Sequence, residues 1–227
     1  MQIADATLPQ VPRLPHRTRQ IRGLVLHSTG RTLAVRCAEY AHSDDPAAID
    51  AAAVAWYRSS GFGYFGGYLV GCSGAVYRLA PDEVRTQHAA ELDSRYKSSA
   101  WRAWAHLDGR WQQHMRDPAQ VWDWWDARWP GLSPADLLGM RPNDALGVDL
   151  LPLPTGRYSL EQVAQVRRLI HHLCAEHNVA PTRRNVVGHE DVDPCSRGTV
   201  RRGGRIVGIP WDPGPLDWAA LALETAP

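Results

Sequence analysis

Lysine is almost absent from this chain of 227 residues: Lys97 is the only one among 25 basic residues, so any chemistry that requires a lysine has a single candidate. Phenylalanine is nearly as scarce, with two residues against ten tryptophans. No excess of either charge exists either, because 25 basic and 24 acidic side chains leave a formal net charge of +1. A surface that neutralises phosphates needs a clustered basic excess, so nucleic acid is excluded as a default partner. Also missing is any apolar run near the roughly 20 residues that a bilayer span requires, so no membrane span is expected. Residues 1–15 do not place an apolar stretch after a basic start, which leads us to expect a chain made in the cytoplasm without a conventional secretory leader. Cys37, Cys72, Cys174 and Cys195 are the four cysteines and none has CxxC spacing. That excludes a disulfide scaffold and suits either redox compartment, with three pairings open if they oxidise. What is there is the composition of a single-core globular chain, 44% hydrophobic and 22% charged.

Residues 1–20, rich in proline and polar residues, read as an extended lead-in. Ile21 to His27 forms a short apolar strand stopped by Ser28, Thr29 and Gly30. Asp45 before Pro46 is an N-cap with proline at the first helical position, opening an alanine-rich helix to about Ser59. Tyr68 to Val70 and Ala75 to Leu79 flank a Gly-Cys-Ser-Gly turn and read as a hairpin. Leu146 to Leu150 is a further strand, which Pro152 and Pro154 prevent from extending. The clearest helix runs from about Leu160 to Asn178. Ser159 and Gln162 form a capping box there, and Leu160, Val163, Val166, Ile170, Leu173 and Cys174 share a face that packs on a sheet. Asn185 to Gly188 is a last strand, and it delivers His189 to a long irregular segment.

Seven of the tryptophans fall between about Glu91 and Arg141: Trp101, Trp104, Trp111, Trp122, Trp124, Trp125 and Trp129. Asp117-Pro118 opens a helix in this insertion and Pro130-Gly131 closes it, with Val121, Trp125 and Trp129 on one face. Most of these rings are expected to form the core of a small helical subdomain. One or two are candidates to line a groove, since flat aromatic faces suit the apolar faces of sugar rings.

Among ten histidines, position selects two. His27 ends one apolar strand and His189 follows another. Two imidazoles from separate strands, joined by an acidic side chain from a loop, would make a three-ligand zinc site with its fourth position open to water. A satisfied core histidine is the competing reading for each. His171 and His172 point about 100° apart on a helix and are poor co-ligands.

His27 in LVLHSTG, the hairpin from Tyr68 to Leu79, His88 in TQHA, Asn143-Asp144 and Asp149 in NDALGVDL, His189 in VVGHEDVDP and Asp212 in WDPGPLDW occur in one order. In that order and those contexts the chain resembles the zinc-dependent N-acetylmuramoyl-L-alanine amidases of type 2, a family that includes phage lysozyme-like amidases and peptidoglycan recognition proteins. The likeness covers about residues 21–90 and 141–218.

The resemblance implies Zn²⁺ held by His27, His189 and Asp212, with Cys195 the competing third ligand and Asp193 an outsider. It implies Asp149 as the general base, in a place where relatives carry glutamate, one methylene longer; holding a histidine ligand is the alternative role for this acid. Where the family has a lysine two positions before the aspartate ligand, this chain has Pro210. Arg197 is the candidate to supply that charge to the developing oxyanion, ahead of Arg201, Arg202 and Arg205. Gly67 stands where relatives often have a histidine. His88 matches a position near the substrate and is the remaining catalytic candidate. Asn143, Tyr68, Trp101 and Trp125 are the candidate substrate contacts.

The resemblance further implies an α/β fold, a mixed central β-sheet flanked by helices, with the Trp-rich helical insertion (91–141) beside the active-site groove. The whole chain, 1–227, is expected to be one amidase domain, with 195–211 an extra loop before the third ligand. The implied reaction is zinc-assisted hydrolysis of the amide between N-acetylmuramic acid and the L-alanine of the stem peptide. Peptidoglycan or muropeptide is then the partner, attacked in the wall by a phage lysin after lysis or by an antibacterial effector after dedicated export. The alternatives are a cytosolic muropeptide-recycling amidase and an inactive peptidoglycan-binding module. No residue bears on an immunity or inhibitor protein.

Overall fold

A computed structural model describes residues 1–29, 42–61, 65–86, 88, 127–132, 137, 144–192, 199–200, 206–207 and 212–224. As expected, a mixed sheet lies between helices. In chain order its strands are β1 (Ile3–Asp5), β2 (Leu24–Ser28), β3 (Tyr68–Val70), β4 (Val76–Arg78), β5 (Leu146–Leu150) and β6 (Val186–Gly188). Across the sheet the order is β1-β4-β3-β5-β2-β6. Strands β3 and β4 form the antiparallel hairpin, and the other neighbours are parallel. The lead-in is more than extended, because its residues 3–5 pair with β4 at the sheet edge. A separate ribbon joins β7 (Thr199–Val200) to β8 (Ile206–Val207).

Strands β2 and β5, LVLHS and LGVDL, are buried along almost their whole length, as parallel strands covered on both faces must be. Alternation sorts their side chains. Leu24, Leu26, Leu146, Val148 and Leu150 join one core cluster, while Val25, His27, Gly147 and Asp149 face the other way.

Helix α1 (Pro46–Ser60) covers the face that carries His27 and Asp149, packing Ile49, Ala53 and Tyr57 with Leu69 and Leu151. Its start is as expected: the Asp45 carboxylate accepts from Ala47 N at 3.0 Å and Pro46 occupies the first turn. Asp50, fully buried, receives the backbone N–H groups of Cys72 at 2.8 Å and Ser73 at 3.3 Å, so α1 holds the hairpin turn.

Helix α2 (Leu160–Glu176) covers the opposite face through Val166, Leu169, Ile170, Leu173 and Cys174. Truncating Leu173 to alanine there should cost about 2–5 kcal/mol. Only half of the expected capping box forms. Ser159 Oγ accepts from Gln162 N at 3.1 Å, but the Gln162 amide turns inward and donates to the carbonyls of Val70 (3.1 Å) and Leu151 (2.7 Å). Gln162 thereby takes the inward place in the first turn, and Leu160, expected on the buried face, is 91% exposed.

Among the described residues no helix is long and apolar enough to cross a membrane. Cys72 and Cys174 are buried free thiols. Of the segment 91–141, Trp129 is the one described tryptophan, and it is buried in a cluster with Val25, Ala145, Val187 and Val192, not in a core of a separate helical subdomain. The other six rings, and the placement of the insertion beside a groove, lie outside the described residues.

Candidate metal centre and catalytic groove

Three neighbouring strands end side by side, and the sequence puts a titratable group at each end. His27 on β2 is the register partner of Asp149 on β5. On the other side of β2, β6 runs directly into α3 (His189–Val192), a single helical turn that opens with His189. The carboxyl ends of parallel strands are where open α/β sheets build their sites.

Asp212, which follows β8 in sequence, is pinned along its length. Its carbonyl accepts from Glu190 N at 3.1 Å, and its Oδ1 accepts from Ser28 N at 2.9 Å. Gly188 permits the approach: a Cβ there would stand 2.7 Å from the Pro213 ring. Gly214 takes φ 81°, the left-handed region that favours glycine, and Tyr158 Oη donates to Pro213 O.

The three expected ligands therefore meet. His27 Nδ1 lies 2.9 Å from His189 Nδ1, His189 Nδ1 lies 3.1 Å from Asp212 Oδ2, and His27 Nδ1 lies 4.0 Å from Asp212 Oδ1. All three residues are buried. Bonds of about 2.0–2.1 Å to a tetrahedral zinc put ligand atoms roughly 3.3 Å apart. The observed separations bracket that spacing, and two imidazoles with one carboxylate are a donor set zinc accepts. The residues present fit the ion. Cys195 and Asp193, the competing ligands, lie outside the described residues.

Asp149 is 2% exposed on the same sheet face. Its Oδ2 accepts from Gly66 N at 2.9 Å and from Tyr57 Oη at 3.2 Å. Burial pushes its carboxyl up to about 7 although both donors favour the anion. Burial and the neighbouring Asp149 charge also push the Tyr57 hydroxyl well above its ordinary range, so it remains a donor. A carboxyl balanced near neutrality suits both taking and returning a proton. Tyr57 and Gly66 were not singled out from the sequence. The signal was there for Tyr57, eight residues after Ile49 on the inward face of α1.

His88 is buried with both ring nitrogens against protein atoms. Nε2 is 3.1 Å from the carbonyl oxygen of Ala145, and Nδ1 is 2.9 Å from His27 Nε2. Burial pushes its pKa down to about 3, so the ring is neutral at ordinary pH.

Behind His189 sits a knot of charge. Fully buried Asp191 accepts from Gly188 N (2.8 Å), Trp129 Nε1 (3.1 Å) and Arg183 Nη2 (2.9 Å), and pairs with Arg128 Nε at 2.9 Å. Burial alone would raise its pKa, but the Arg183 and Arg128 guanidiniums hold it below the ordinary carboxylate range. Arg183 stacks over Trp218 at 3.6 Å and over Trp129 at 5.0 Å. The knot ties residues 128–129 to the turn that carries His189.

One expected contact is not brought to the groove. Tyr68 points to the α2 face, in the cluster with Leu146 and Val148, and its Oη donates to Asp82 at 2.7 Å. Strand alternation is the reason: Leu69, not Tyr68, is the register partner of Asp149. Arg197, Asn143, Trp101 and Trp125 lie outside the described residues, as does Pro210.

The sequence model of the N-acetylmuramoyl-L-alanine amidase family matches residues 17–215. Among solved structures, the crystal structure of a selenomethionine derivative of AmpD is similar at 17% identity, with 96% of this chain and 92% of that chain covered and a TM-score of 0.50. A mutant endolysin from Bacillus subtilis has 17% identity, 86% and 89% coverage and a TM-score of 0.47. At such identity a structural likeness speaks for the fold alone. No curated protein matches.

Proposed function

Since the chain belongs to the N-acetylmuramoyl-L-alanine amidase family, we propose that it hydrolyses the amide between N-acetylmuramic acid and the stem-peptide L-alanine, with zinc held by His27, His189 and Asp212. The observation that carries this reading is the meeting of those three buried side chains beside a buried acid, Asp149, on the adjoining strand. When bound, zinc supplies a Lewis acid that polarises a carbonyl and lowers the pKa of water to about 7.

The chain's own residues do the rest. Ser28 N orients the Asp212 carboxylate toward the two imidazoles, and Glu190 N holds the backbone carbonyl of the same residue. Asp149 takes a proton from the attacking water and returns it to the leaving amine, while Gly66 N and Tyr57 Oη fix its carboxylate and steady it between the two transfers. Arg197, which closes the run Asp193-Pro194-Cys195-Ser196-Arg197, supplies positive charge to the oxyanion that develops on the scissile carbonyl. Asn143, Trp101 and Trp125 contact the substrate.

The test is mass spectrometry of products from intact sacculi and from soluble anhydro-muropeptides, using metal-quantified protein with a chelator control. Released stem peptides with a free L-alanine amino terminus, lost on chelation, are expected. Cleavage of sacculi supports a wall-lytic role, and cleavage of the soluble substrate alone supports recycling. Binding to the wall with no new amino termini from either substrate would overturn the proposal in favour of a binding module.

A further inference from the structure

We propose that His88 is a positioning residue that fixes the tautomer of His27, so that the lone pair of His27 Nδ1 faces His189 and Asp212. The inference rests on the zinc reading above but is carried by a separate chain of hydrogen bonds.

The chain begins at a backbone carbonyl. Ala145 O only accepts, and it lies 3.1 Å from His88 Nε2, so that nitrogen carries the hydrogen. An imidazole with its hydrogen on Nε2 presents Nδ1 as a lone pair, here 2.9 Å from His27 Nε2. His27 must donate there, which places its hydrogen on Nε2 and leaves Nδ1 bare. Nδ1 is the atom that stands 2.9 Å from His189 Nδ1. The opposite tautomer of His27 would turn an N–H into the space between the ligands and set Nε2 against the lone pair of His88.

Two features hold the relay in place. Arg17 Nη1 also donates to Ala145 O at 3.2 Å, and the same guanidinium reaches the carbonyls of Asp82 and Val84, so the accepting oxygen is held from a second side. The His88 ring lies against Gly147, where a Cβ would stand 2.7 Å from its Cγ. The edge-on meeting of His88 and His27, with centroids 5.0 Å apart and planes at 78°, puts the nitrogens within hydrogen-bond reach. The sequence resemblance pointed to His88 as a neighbour of the substrate. Here both its nitrogens are directed at protein atoms, and its effect runs through His27.

Partners that orient a ligating histidine typically cost about 10–100-fold in metal affinity when lost. His88→Leu removes the acceptor, whereas His88→Asn restores an oxygen near the place of Nδ1. The experiment combines chelator-competition zinc titration with ¹H–¹⁵N long-range NMR of histidine-labelled protein, which reads the nitrogen that carries hydrogen. In wild type, His27 should bear it on Nε2 with and without zinc. His88→Leu should weaken zinc by about 10–100-fold and populate the other His27 tautomer in metal-free protein, and His88→Asn should recover most of the affinity. Unchanged affinity and tautomer in His88→Leu would overturn the inference. Should that variant not fold, a hydrogen on His27 Nδ1 in metal-free wild type overturns it equally. A wild-type protein that binds no zinc would instead sink the functional reading, and the metal-free tautomer would still decide the role of His88.

Discussion

Replacing Asp149 by asparagine should move activity and stability in opposite directions. Asparagine keeps an oxygen for the Gly66 N–H and Tyr57 O–H but cannot take a proton from water. Loss of a positioned base typically costs about 10²–10⁴ in rate, roughly 3–5 kcal/mol of barrier. Stability follows from the buried carboxyl, whose pKa is pushed from 3.8 to about 7. A group raised in the folded state contributes fully below its unfolded pKa, and that contribution is lost as pH rises through the folded value. In metal-free wild type the loss between pH 4 and pH 8 is on the order of 4 kcal/mol, at about 1.36 kcal/mol per pH unit. Asparagine has nothing to lose. Metal-free Asp149→Asn should therefore melt about 10 °C higher than wild type at pH 8 and close to it at pH 4. The assay is calorimetry of chelator-treated protein at both pH values, beside turnover of the zinc-loaded forms on sacculi. Near-normal turnover by the variant, or a melting difference independent of pH, would refute the reasoning.

Tyr57→Phe removes a hydrogen bond that favours the Asp149 anion, so the acid limb of the rate profile should move to higher pH, read from kcat/KM across pH 5–9. Asp212→Ala should lose more zinc affinity than the about 10–100-fold expected for an outer partner, measured by chelator competition, because it removes a proposed ligand outright. Asp191→Asn leaves the half-buried Arg183 and Arg128 guanidiniums beside a neutral group, which should cost about 1.5–3 kcal/mol, visible in urea unfolding. Gly147→Ala should push the His88 ring off β5 and weaken zinc as His88→Leu does, read in the same titration.

Much of the frame could be read from local pattern. Strand 146–150 matches its expected bounds, and the Asp45-Pro46 cap marks the start of α1, because each signal is local. Strand β1 was not legible: three residues at a sheet edge carry no alternation, and only the partner strand β4 makes them a strand. The inward turn of Gln162 was hidden for a related reason, since carbonyls at 70 and 151 compete with the cap for its amide. Of the site, His27 and His189 were legible by their place at strand ends, and Asp212 through the family resemblance of the DPGP run. Tyr68 misled because a strand buried on both faces does not reveal which face a residue takes. Tyr57, Gly66 and the Ala145 carbonyl act through contacts 57 to 92 residues away in sequence, and no local pattern encodes those.

Arg17 bears on where this domain can be cut. The lead-in looks expendable, since it holds none of the proposed ligands and not the proposed base. Yet its guanidinium bridges the carbonyls of Asp82, Val84, Asp144 and Ala145, stapling the segment after the hairpin to the entry of the central strand that carries Asp149. A truncated protein beginning just beyond it would retain His27, Asp149, His189 and Asp212 and lose the clasp between those two segments. Lysine could not substitute, because one ammonium cannot reach in the directions a planar fork does. In a chain that uses arginine almost exclusively, the first residues to keep in any minimal domain are those that deliver this one.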